Sequence, residues 1–166
     1  MAESALYQPI LLLLQEHFAQ VGFPADLEIA AITGASDKIS QRISPGQEIL
    51  FSFLPENKPD ILGTLQDSRW ISAEIKEGPL GLDHIYQAKR YKELFGARCA
   101  FLITAERIPA RLRRLCIALP QILHASNDAY SFFVLAEFKR DPSEPSTGAF
   151  VDWFPADPFA NSVYWR

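Results

Sequence analysis

The stretch "PDILGTLQDSRWISAEIKE", Pro59 to Glu77, sets two apolar runs around the polar loop "QDSR". Ile61 to Leu65 and Trp70 to Glu77 read as strands, because β-branched and aromatic residues flank a segment with turn chemistry. With Asp60 opposite Glu74, the turn centres on Asp67, inside the polar loop where a turn belongs. Side chains alternate along a strand, so Ser72, Glu74 and Lys76 share one face and Ile71, Ala73 and Ile75 share the other. The hairpin therefore opposes two carboxylates on otherwise apolar strands, where like charges repel. A divalent cation between them removes that repulsion, and Mg²⁺ typically takes one or two carboxylates together with waters and phosphate oxygens. Lys76, on the same face, has the chemistry to orient or deprotonate a water, or to neutralise charge developing on a phosphate. Glu-x-Lys alone reads as a solvated face. The aspartate at the matching cross-strand position is what sets this hairpin apart.

Upstream, Leu6, Ile10, Leu13, Leu14 and Phe18 recur at helical spacing and predict a helix over about Ser4 to Gln20. Pro9 opposes it and argues for a start near Tyr7, with the proline in the first turn. Leu27 to Thr33 and Glu48 to Leu54 read as strands, "PENKP" as a turn, and Gly34 to Gly46 as a polar loop. Downstream, Gly78, Pro79 and Gly81 break the chain before a helix from about Leu82 to Phe95, with Gly96 as its cap. Cys99 to Thr104 is a continuous apolar run, hence a buried strand. A helix from Pro109 to about Ser126, interrupted at Pro120, and a strand from Tyr130 to Phe138 complete the pattern. The expected fold is α/β, a mixed central sheet with helices on both faces. Residues 1–140 form the domain. Residues 141–166 are rich in Pro, Ser and Asp but hold Phe150, Trp153, Phe154, Tyr164 and Trp165, so this extension is expected to pack on the same domain.

The 166 residues suit one core, and 48% hydrophobic with 22% charged residues is ordinary for a soluble protein. The net charge of −4 gives no global attraction to a polyanion, so such a partner needs a local basic patch. Lys89, Arg90 and Lys92 form one cluster, and Arg107, Arg111, Arg113 and Arg114 another. Cys99 and Cys116 match no zinc spacing and read as small hydrophobes. The N-terminus lacks a basic signal region, and Ile10 to Leu14 is too short to span a bilayer, which points to the cytoplasm and away from membranes.

Pro59-Asp60, followed by Glu74-Ile75-Lys76, resembles the motif of the PD-(D/E)XK nucleases, the restriction-endonuclease-like superfamily that includes Holliday junction resolvases. Glu3 in the first helix and "QAKRY", Gln87 to Tyr91, in the helix after the motif are also similar to members of that superfamily, as is the αβββαβ order. The likeness covers about Glu3 to Thr104. It implies that Asp60, Glu74 and the backbone carbonyl of Ile75 bind Mg²⁺ or Mn²⁺, and that Glu3 reaches the metal or its waters. Lys76 would position or activate the attacking water. Gln87 would orient Lys76 or touch a phosphate, and Tyr91, Lys89 and Arg90 would lie toward the nucleic acid. The implied activity is metal-dependent hydrolysis of DNA. The rival reading is a non-catalytic module of the same fold, within a larger repair or defence complex. A homodimer stays open as well. His17, His84 and His124 have no metal spacing, although His84 lies close to the motif. No nucleophile elbow or phosphate-binding glycine loop is present.

Overall fold

The computed structural model describes residues 3–30, 58–123, 132–144, 146–160 and 165. In chain order these form α1 (Ser4–Gln20), β1 (Ala25–Ile29), β2 (Ile61–Leu65), β3 (Trp70–Lys76), α2 (Leu82–Phe95), β4 (Cys99–Thr104), α3 (Ala110–Ala118), β5 (Phe132–Arg140) and β6 (Gly148–Phe154). The strands make a six-stranded sheet in the order β1-β2-β3-β4-β5-β6. The first three form an antiparallel meander, β3, β4 and β5 run parallel, and β6 returns antiparallel to β5. Parallel neighbours need a crossover, and α2 and α3 supply the two crossovers. The fold is thus α/β with a mixed sheet.

The alternation in "WISAEIK" decides which helix covers which face. Ile71, Ala73 and Ile75 pack with Leu6, Ile10, Leu14 and Phe18 of α1. On the opposite face Ala100, Leu102, Phe133 and Leu135 meet Ile85 and Ala88 of α2 and Leu112 and Cys116 of α3. Gly63, in the middle of β2, has no room for a side chain: a Cβ there would lie 2.0 Å from the carbonyl oxygen of Asp26. Gly96 closes α2 in the left-handed conformation, φ 58°.

Pro9 departs from expectation. The helix begins at Ser4, so the proline lies in its interior and is buried. Without an N–H, Pro9 leaves the carbonyl of Ala5 unbonded within the helix. The Arg140 guanidinium, at the far end of β5, donates to that oxygen instead. Arg140→Ala should therefore lower stability by about 1 kcal/mol in urea denaturation, the cost of a hydrogen bond lost at a partly exposed carbonyl.

Two further expectations need adjustment, and a third lies outside the described residues. The strand predicted over Leu27 to Thr33 begins earlier, at Ala25, and runs to Ile29, with residues 31–33 of the prediction outside the described residues. The strand expected over Glu48 to Leu54 lies outside the described residues. The helix after Pro109 stops at Ala118, and Pro120 opens a single 3₁₀ turn to Ile122. The tail contributes a strand that its composition concealed: "GAFVDWF" pairs along β5, and Phe159 and Trp165 pack beneath α1, with Trp165 4.7 Å from Phe18 between ring centres.

Candidate active site

The hairpin register puts Ile61 opposite Ala73, which sets Asp60 across from Glu74 as the sequence pattern required. Asp60 precedes the first residue of β2, and its backbone carbonyl accepts from the Ala30 N–H, which holds it in line with the sheet. Its side chain is buried, and Oδ2 accepts from the N–H of Ile75 at 2.7 Å. In an extended strand one residue's N–H and C=O point to the same side, so the Ile75 carbonyl is turned toward Asp60 as well. Glu74 is only 2% exposed. One of its oxygens, Oε1, accepts from Lys76 Nζ at 2.7 Å; the other, Oε2, is buried with no hydrogen-bond partner among the described residues.

From the other side, α1 brings Glu3 and Tyr7 to this strand end. Glu3 Oε1 lies 3.9 Å from Lys76 Nζ, and the Tyr7 hydroxyl donates to it at 3.4 Å. Burial, followed by the nearby charges of Asp60 and Glu3, holds the Tyr7 hydroxyl well above the usual tyrosine range. Tyr7 was not singled out from the sequence. The available signal was its place four residues after Glu3, on the same helix face.

Burial dominates the titration of this cluster. It pushes Glu74 up to about 7, with the Asp60 charge adding to the shift and Lys76 opposing it. Asp60 is also raised by burial, against the bonds from Ile75 and Tyr7 that favour its charged form. For Lys76 burial is the largest single influence and acts downward, but Glu74, Glu3 and Asp60 together outweigh it and hold the ammonium above its ordinary value. Two carboxylates that resist ionisation therefore lie side by side, next to a firmly protonated lysine.

The remaining expected residues lie on α2. Gln87 is half-buried and makes no hydrogen bond to Lys76 or Glu74. It shares a helix face with His84, which feels Lys76 and Glu3 electrostatically and is lowered mainly by its own burial, then by Lys76. His84 Nδ1 accepts from the Gly81 N–H and so caps the helix. Lys89 bonds the carbonyl of Gln121. Arg90 lies over the ring of Tyr91, 5.3 Å from its centre. Tyr91 is 1% exposed, packed with Leu62, Trp70 and Phe95, so its ring offers no surface to a nucleic acid. The site cluster is therefore Glu3, Tyr7, Asp60, Glu74 and Lys76.

No protein-family model matches the chain, and no curated protein or solved structure is significantly similar to it. Among the described residues no three or more His, Cys, Asp or Glu side chains are grouped so as to hold a metal ion. Glu3 thus stands off from the carboxylate pair, tied to Tyr7 and Lys76. The pair itself suits a hard cation: both donors are carboxylate oxygens, one of them is buried and unpartnered, and a backbone carbonyl is turned the same way. Among the described residues no helix is long and apolar enough to cross a membrane.

Proposed function

We propose that this protein is a metal-dependent nuclease of restriction-endonuclease-like fold that hydrolyses phosphodiester bonds in DNA. The observation that carries the reading is the buried Oε2 of Glu74, unpartnered among the described residues, on a residue that lies across the hairpin from Asp60 and has Lys76 on its other oxygen. A buried carboxylate oxygen costs free energy unless a donor or cation meets it. Asp60, Glu74 and the Ile75 carbonyl would hold Mg²⁺ or Mn²⁺. The bound ion would polarise the phosphate and make a water more acidic at neutral pH.

The chain's own residues account for the rest. Lys76 carries three N–H donors and spends one on Glu74, which leaves two for the attacking water or a phosphate oxygen. Its charge offsets the negative charge that grows as the water oxygen bonds to phosphorus and the P–O bond to the sugar breaks. Tyr7 donates to Glu3, so α1 holds that carboxylate at the strand end. Glu3 adds a further negative charge that keeps Lys76 protonated. The buried free thiols Cys99 and Cys116 accord with a reducing, cytoplasmic setting.

The test is a panel of branched, nicked, single-stranded and duplex DNAs incubated with Mg²⁺ or Mn²⁺, read beside a melting experiment. With a dissociation constant in the millimolar range, Mg²⁺ at ten times that value should stabilise the fold by about 1.4 kcal/mol, roughly 3 to 6 °C in a chain of this size. Asp60→Asn should remove most of that shift. A metal shift that disappears in Asp60→Asn, without cleavage of any DNA, would favour the non-catalytic module. An equal shift in both proteins would mean that the ion binds elsewhere.

A further inference from the structure

We infer that the cleft at the start of α3, lined by Arg107, Arg113 and Lys139, is a second phosphate-binding site that holds the DNA strand beside the reacting phosphate. The inference rests on reading Asp60, Glu74 and Lys76 as phosphodiester chemistry. It begins with the sequence "RIPARLRR", Arg107 to Arg114, which carries four arginines and no acidic residue in a chain of net charge −4. The fold brings that segment to the functional edge. Register pairs Lys76 with Thr104, Thr104 with Glu137, and Glu137 with Asp152, one row that starts at the C-terminal ends of β3 and β4 and runs across β5 to β6. Paired residues point to the same face, and strands lie about 4.8 Å apart, so Glu137 is about 10 Å along the row from Lys76.

The cleft beside that row has a volume of about 630 Å³. Arg113 is built into its wall. Its Nη2 donates to Glu137 Oε1 at 3.0 Å and to Asp152 Oδ2, and the guanidinium lies 5.5 Å over the ring of Phe154. Glu137 is buried and also accepts from the Ile108 N–H at 2.8 Å. These two carboxylates offset the charge of Arg113 and fix its orientation. The surplus positive charge comes from Arg107, which is exposed and has no ion pair among the described residues, and from Lys139. Lys139 rests on the carbonyl of Ala105 at 2.5 Å and stays exposed. A guanidinium fork and an ammonium facing an open cleft match the tetrahedral oxygens of a phosphate. A DNA strand that reached both sites would span roughly 10 Å between them.

The experiment measures binding of the full chain to a fluorescein-labelled single-stranded DNA 20-mer by anisotropy, in EDTA so that no cleavage intervenes, over a range of salt. The Arg107→Ala/Lys139→Ala protein should bind about tenfold or more weakly. The slope of log K against log salt should become shallower by about 1.4, two phosphate contacts at 0.7 each. Arg107→Lys/Lys139→Arg keeps both charges and should bind within about twofold of wild type. Melting curves confirm that each variant is folded. An unchanged affinity and slope in the double alanine protein would overturn the site, as would a wild-type chain that does not bind the DNA. The motif is judged separately by the Mg²⁺ melting shift and its loss in Asp60→Asn, so failure of the cleft and failure of the motif are distinguishable.

Discussion

Lys76→Ala is expected to lower divalent-dependent DNA cleavage by at least about a hundredfold, the usual cost of deleting one positioned donor at a developing charge. Lys76 bonds Glu74 at 2.7 Å and lies 3.9 Å from Glu3, so its ammonium stands beside one of the two carboxylates that would hold the ion. The fold should survive the change. Lys76 ends β3 and is not fully buried, and without it Glu74 can stay protonated, because Lys76 is the influence that lowers its pKa. A neutral carboxylic acid costs far less to bury than a carboxylate. Asp60→Ala and Glu74→Ala should be similarly inactive, and pairs of these changes little worse than singles, since groups that act as a unit are not additive. Single-turnover cleavage beside a melting curve decides the matter. Full cleavage by a folded Lys76→Ala protein would remove the lysine from the mechanism.

The second large effect is on stability and depends on pH. Glu74 titrates near 7 in the folded chain, because it is buried beside Asp60, against an ordinary value of 4.5. Between those values the native state holds a proton that the unfolded state has released, so stability falls as pH rises. Below about 4.5 both states are protonated and nothing is lost; above about 7 the loss is complete. At 1.36 kcal/mol per unit it amounts to roughly 3 kcal/mol. Glutamine imitates the protonated acid. Metal-free Glu74→Gln should therefore melt with wild type near pH 4.5 and about 6 to 12 °C above it at pH 8. Mg²⁺ should narrow that gap by stabilising wild type alone, with an affinity that rises with pH as the proton leaves. Equal melting of both proteins at pH 8 would show that Glu74 ionises without penalty and is not held in a strained pair.

The hairpin that carries Asp60 and Glu74 was legible because every rule that shapes it is local. Side-chain alternation, turn residues at Gln66 to Arg69 and the position of Asp67 at the centre are enough to set Asp60 across from Glu74. The helix Leu82–Phe95 was bounded by its glycines for the same reason. Tyr7 could not be read as part of the site. That requires knowing that α1 crosses the sheet at the end of β3, a contact between segments some seventy residues apart. Tyr91 misled in the opposite sense: its spacing from Gln87 is right for one helix face, but that face turns into the cluster with Trp70 and Phe95. The strand Gly148–Phe154 was hidden because an edge strand of mixed exposure lacks a clean alternation.

What the sequence determined by itself was the pairing of the two carboxylates and the lysine on one face, since strand geometry has a period of two and leaves no choice once the turn is placed. What only the tertiary structure decided was the environment of those groups. Burial, which is a property of the whole packed domain, raises Glu74 and leaves its Oε2 without a partner. The helix that carries Glu3 and Tyr7 tolerates its interior proline with Arg140 of β5 bonded to the carbonyl that the proline leaves open. The parallel register that lines Lys76 up with Thr104 and Glu137 likewise follows from two crossovers, and no local pattern encodes where a crossover lands.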